Sequence, residues 1–174
     1  MPIVYIPEYI NPFRFAEQHA RLQGVVNIED LKRLGLALNK QAGEVAVDVQ
    51  FDIDEQGLVF LHGHLNAKVI LQCQRCMGNF EYEIIDTFTY GVANTEKEVS
   101  SFPGKYDTVE AEDNLIAIRN IIEDELILSL PVVPMHVPDN CEIKMPYKDA
   151  DWSEEKKSPF HILKNTLKHK SSKK

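Results

Sequence analysis

The sequence predicts an α+β fold: an antiparallel β-meander, able to close partly into a barrel, covered by helices and followed by a C-terminal linker and short amphipathic helix. Changes in hydrophobic period carry this prediction. Before Gly43 apolar residues recur at helical spacing, from 44 to 90 they alternate with polar ones, and from 115 to 129 the helical period returns. Consecutive alternating stretches joined by short turns describe strands with one buried face, and the helical stretches are the natural cover for it.

Each element has its own signal. Asn11-Pro12 sets a capping residue before a proline at the first helical position, with Phe13, Ala16 and Ala20 following. Asn27-Ile28-Glu29-Asp30 is a second start, continued by the Ile28, Leu31, Leu34, Leu38 stripe, and Gly24 is expected to separate the two helices. Val45, Val47, Val49, Phe51 and Ile53 mark the first strand, and Asp54-Glu55-Gln56-Gly57 turns the chain. A second strand runs from Leu58 to about Gln72, with Gly63 expected to mark a bulge or bend, and a third from Asn79 to Tyr90. Residues 91–112 read as a loop with a short strand near Tyr106 to Val109. Asp113 or Asn114 then caps a helix from Leu115 to about Ser129, which Pro131 and Pro134 stop. Residues 1–137 thus read as one domain, and 138–174 as a flexible linker and a basic C-terminal helix carrying Phe160, Leu163 and Leu167.

At 174 residues, 44% of them hydrophobic, the chain can build a core and is no disordered polymer. The most apolar stretch, Leu115 to Val133, carries Arg119, Glu123, Asp124 and Glu125, which a membrane span would not accept. The start has no basic segment followed by a long apolar run, and three cysteines make no disulfide framework, so the expected setting is the reduced cytoplasm. The net charge of −8 argues against general nucleic-acid binding, yet charge is uneven. The middle is acidic, with Glu81, Glu83, Asp86, Glu96, Glu98, Asp107, Glu110, Glu112 and Asp113, whereas residues 164–174 hold five lysines and no acid. An acidic body suits a basic partner, and a basic tail can touch RNA.

Cys73-Gln74-Arg75-Cys76 is the sharpest chemical feature, because two thiolates at this spacing in a turn between strands can reach one Zn²⁺. A four-ligand site requires two more donors, and His136 with Cys141 are the candidates; the opposing reading is three reduced, partly buried thiols. Redox catalysis would place the first cysteine at a helix N-terminus, which a turn between strands does not provide. His62 and His64 read as polar surface on a solvated sheet face. Glu123-Asp124-Glu125 point different ways around a helix, so they are expected to be structural, one pairing with Arg75 or capping a strand edge. With no phosphate loop and no nucleophile motif, no enzyme is expected.

The ordered combination of Leu71-Gln72-Cys73-Gln74-Arg75-Cys76, Phe80, Glu123-Asp124-Glu125-Leu126-Ile127-Leu128, Leu130-Pro131, Pro134, His136 and Pro159-Phe160 with Leu163 resembles the YceD family, named for large ribosomal RNA subunit accumulation. The resemblance covers almost the whole chain and implies a role in synthesis, processing or stability of large-subunit (23S) ribosomal RNA. It carries over no catalytic residue and no small-molecule substrate. Some relatives have a second Cys-x-x-Cys after the helix end, completing a four-cysteine zinc site; this sequence departs there, with Cys141 alone. The leading expectation is a non-enzymatic factor acting on precursor large subunits, with Lys68, Arg75, Lys164, Lys168 and Lys170 as RNA or partner contacts. The alternative is an acidic adaptor for a basic ribosomal protein, acting on rRNA indirectly.

Overall fold

The computed structural model describes residues 4–100, 102–104, 106–137 and 140–141, except for the side chains of 96 and 97. In chain order its elements are α1 (Pro12–Glu17), β1 (Arg21–Asn27), a 3-10 turn (Ile28–Asp30), α2 (Lys32–Ala37), β2 (Glu44–Ile53), β3 (Val59–Gln72), β4 (Asn79–Ala93), α3 (Glu96–Val99), β5 (Asp107–Glu110) and α4 (Ile118–Leu128). The chain divides into two units, Met1–Glu142 and Ile143–Lys174. The second, with the expected C-terminal helix, Lys164, Lys168 and Lys170, lies outside the described residues.

The alternating stretches form the middle of one five-stranded sheet ordered β1-β2-β3-β4-β5. Strands β1 to β4 pair antiparallel, and β5 joins β4 in parallel. The sheet is open, with β1 and β5 at its edges. Val45, Val47, Val49 and Phe51 of β2, with Leu61, Leu65, Ala67, Val69 and Leu71 of β3, turn toward one side and are buried there. Leu34 of α2 and Ile118, Ile122 and Leu126 of α4 belong to the same core, so the helical stripes cover the face that the alternation exposes. Among the described residues no helix is long and apolar enough to cross a membrane.

Several boundaries differ from the sequence reading. The first helix stops at Glu17, before Ala20, and His19 takes a left-handed φ of 47°. Gly24 lies within β1 rather than between two helices. Its role is close approach: a Cβ there would lie 2.3 Å from the Val4 carbonyl oxygen. That carbonyl accepts from Val25 N–H at 2.9 Å, and Ile6 N–H donates back to the Val25 carbonyl at 3.1 Å, so the N-terminal segment covers part of the β1 edge. Gly63 marks no bulge; it pairs in register with Phe88, whose ring occupies the space a Cβ would take at 2.1 Å. The helix expected from Leu115 begins at Ile118, because Asp113 and Asn114 take φ of 50° and 60° in a turn that bridges Glu112 to Leu115. Leu115 is consequently 42% exposed, off the buried stripe.

Polar contacts fix the helices in place. Helix α2 has Leu31 at its N-cap, which offers no side-chain acceptor. Glu123 of α4 supplies one instead: its Oε1 accepts from Arg33 N–H at 2.7 Å and Leu34 N–H at 3.1 Å, and its Oε2 accepts from Arg33 Nε at 2.8 Å. A carboxylate at a helix N-terminus satisfies orphan donors and meets the positive end of the helix dipole. Glu123 is only 6% exposed, whereas its neighbour Asp124, also bound by Arg33, faces solvent. Arg119, on the same helix, donates through Nε and Nη2 to the Ile6 carbonyl, tying the N-terminal segment to α4. The Glu123→Ala variant should lose about 3 kcal/mol in urea unfolding, since it strands two helix N–H groups and a guanidinium. Asp124→Asn should lose under about 1 kcal/mol, as expected of an exposed pair.

Candidate metal centre

Strands β3 and β4 are joined by six residues, Cys73 to Gly78, folded into a tight knuckle. Cys73 N–H donates to the Gly78 carbonyl at 2.8 Å, and Met77 N–H donates to the Cys73 carbonyl at 2.8 Å. The reversal needs a left-handed residue, and Met77 takes it at φ 61°. After α4, Pro131 and Pro134 keep the chain out of helix and it bends at Val132 and Val133 back to this hairpin, where the Pro134 carbonyl accepts from Gln74 N–H at 2.9 Å. That contact delivers His136 to the knuckle.

One ligand atom each from Cys73, Cys76, His136 and Cys141 lies within 4.8 Å of all the others. His136 N–H points at Cys73 Sγ at 3.5 Å, and its Nδ1 sits 3.3 Å from Cys76 Sγ. The Phe80 ring lies against the imidazole, centroids 5.0 Å apart. Cys73 and Cys141 are 0% and 3% exposed, while Cys76 and His136 are half-buried. A tetrahedral zinc with Zn–S bonds of about 2.3 Å sets its sulfurs roughly 3.8 Å apart, so the cluster matches the size and donor set of a three-thiolate, one-imidazole site. Electrostatics favour a thiolate at one position. Burial pushes the Cys73 thiol up, but N–H groups of Cys76, His136 and Arg75, with the His136 side chain, bring it down to about 5. At Cys76 the Gly78 N–H pulls the thiol down, and burial with the adjoining Cys141 and Cys73 sulfurs outweighs it, so this thiol is raised.

Arg75 sits on the knuckle between the two cysteines. Its N–H points at Cys73 Sγ at 3.4 Å, its Nη2 reaches Met135 Sδ at 3.7 Å, and its buried Nε has no hydrogen-bond partner among the described residues. No described carboxylate pairs with it, which corrects the expected ion pair with the Glu123–Glu125 run. Lys68, by contrast, is held by Glu81 at 3.2 Å on the solvated face of the sheet. His62 and His64 are exposed on that face, His62 against Thr89 Oγ1 at 2.8 Å.

The three acids of α4 do not converge. Glu123 and Asp124 go to Arg33, and Glu125 accepts from the Tyr90 hydroxyl of β4. Burial raises the Glu125 carboxyl, Asp86 and Asp107 raise it further, and the Tyr90 bond opposes them; burial and the facing carboxylate push the Tyr90 hydroxyl well up. Sequence spacing carries no sign of this pair or of the Arg33–Glu123 contact, because each joins residues far apart in the chain.

The site and fold describe a small sheet-and-helix protein with a Cys3His cluster at the end of a hairpin, and the comparisons give it a family. Residues 61–168 match the model of the family described as large ribosomal RNA subunit accumulation protein YceD. The chain is also 30% identical, over 98% of its length and 100% of the relative's, to the large ribosomal RNA subunit accumulation protein YceD of Haemophilus influenzae. It belongs to the YceD family. No solved structure matches it.

A carboxyl raised in the folded state stabilises the fold below its unfolded pKa, and that contribution fades as pH rises through the folded pKa. Urea midpoints of wild type and Glu125→Gln should therefore diverge as pH rises from about 4.5 toward neutrality, the amide variant being the more stable at neutral pH. Parallel curves would mean that ionisation of Glu125 costs the fold nothing.

Proposed function

We propose that this chain is a non-catalytic, zinc-stabilised factor in large-subunit rRNA accumulation, working in the cytoplasm on precursor large subunits. Family membership supplies the rRNA context, from what the Haemophilus influenzae relative is named for. The observation that carries the mode of action is Arg75, a half-buried guanidinium held on the knuckle with no acidic partner among the described residues. A planar guanidinium without an acidic partner is suited to a phosphate, and the knuckle fixes it at the tip of the hairpin. Lys68, neutralised by Glu81, is the weaker contact.

In this reading zinc is structural. Cys73, Cys76, His136 and Cys141 would hold it, and its binding would lock the segment after α4 onto the β3–β4 hairpin. Four protein ligands leave no open position for water, as in structural rather than catalytic zinc sites.

Two experiments test it. Protein purified from zinc-supplemented cells should carry about one zinc per chain by elemental analysis, and His136→Ala and Cys141→Ser should each lose most of it and unfold at lower urea; wild type free of zinc would end the structural-metal reading. Ultraviolet crosslinking in growing cells should give a focused peak in large-subunit RNA that falls several-fold in Arg75→Ala and is partly kept in Arg75→Lys. An unchanged peak in Arg75→Ala with zinc retained would remove the knuckle from RNA contact.

A further inference from the structure

The other end of the same elements carries a second surface. Strand β5 lies at the edge of the sheet, and among the described residues no hydrogen bond occupies the side of Asp107–Glu110 turned away from β4. Between this edge and the start of α4 runs a groove of about 520 Å³. Its apolar wall comes from Val109, Ile116 and Ile121, and the exposed side chains of Tyr9 and Leu115 stand beside it. Such a groove along an unpaired strand has the form that accepts an extended segment by strand addition, with main-chain bonds to the edge and alternate side chains entering the groove.

Charge decides what kind of segment. Glu110, Glu112, Asp113 and Asp124 line the groove, and among the described residues no lysine or arginine does. Asp124 is already shared with Arg33, but no ion pair or side-chain hydrogen bond involves Glu110, Glu112 or Asp113 among the described residues. The nearby Arg119 guanidinium is turned to the Ile6 carbonyl and Asp30. In the parallel register Val109 pairs with buried Val92 and shares its helix-facing side, which puts Glu110 on the opposite side of the strand. A matching strand therefore alternates apolar residues, facing Val109 and Ile121, with basic residues on the Glu110 side.

We propose that the groove between β5 and α4 binds an extended, basic segment of a partner protein, one alternating lysine or arginine with aliphatic residues, by adding it as a sixth strand. RNA is excluded on charge, since three unpaired carboxylates would face its phosphates, and a second copy of β5 would bring the same acids together. The proposal is independent of the zinc and Arg75 readings, which concern the opposite end of β4 and α4.

The test uses the full chain and a fluorescein-labelled seven-residue peptide alternating lysine or arginine with valine. Anisotropy should show binding that weakens at least tenfold in the triple variant Glu110→Gln, Glu112→Gln, Asp113→Asn, whose last change keeps a residue tolerant of φ 50°. Removing three exposed acids elsewhere, Glu44→Gln, Glu55→Gln, Glu83→Gln, should change affinity less than twofold. Amide hydrogen exchange across Asp107–Glu110 should slow when the peptide binds wild type. Equal weakening in both triple variants would reduce the effect to net charge and overturn the proposal. So would unchanged exchange at β5, or sedimentation showing a dimer that the peptide dissociates.

Discussion

One carboxylate organises the covering layer. Glu123 caps α2 from α4, across 90 positions of sequence, and it does so while buried. A buried carboxylate is tolerated only when its lone pairs are filled, and two helix N–H groups with a guanidinium fill them. Once α4 is anchored this way, it packs against α2 and β4, and its two ends are committed to opposite ends of β4.

Those ends hold different chemistry. At the C-terminal end, Pro131 and Pro134 end the helix, and the Pro134–Gln74 bond brings His136 to the two knuckle thiols. Backbone N–H groups already converge on Cys73, so the thiolate state that a metal requires is favoured before any ion arrives. At the N-terminal end, the left-handed turn at Asp113 and Asn114 delays the helix and leaves Leu115 outside the core, opening the groove beside β5. Among the described residues, a cation without an acidic partner thus stands near one end of β4 and unpaired carboxylates near the other.

Local patterning made much of this legible. The alternation of Val45 to Phe51 and the Ile28–Leu38 stripe each report burial of one face, and burial is where the structure places them, whereas Ile53 at the end of the strand is exposed. Cys-x-x-Cys with a proline-bounded His136 and Cys141 pointed to a four-donor cluster because side-chain chemistry, unlike packing, can be read from residue type alone. Where local rules competed with long-range pairing, the reading changed. Gly24 looks like a helix break, yet the Val4 carbonyl needs the space that its missing Cβ leaves. Gly63 looks like a bulge, yet Phe88 fills it from the neighbouring strand.

The sequence by itself determined the kinds of element, the faces they bury, the candidate ligands and the uneven charge, because these depend on spacing and on the chemistry of single side chains. Only the tertiary structure decided which strand forms the far edge, that β5 joins in parallel, that Arg33 rather than Arg75 meets the acids of α4, and that four donors from two distant segments share one volume. Such facts depend on pairings across 17 positions for β4 with β5, 60 for Cys76 with His136 and 90 for Arg33 with Glu123. The energy of those contacts is realised only after the sheet and helices have packed, so no local window of sequence contains it.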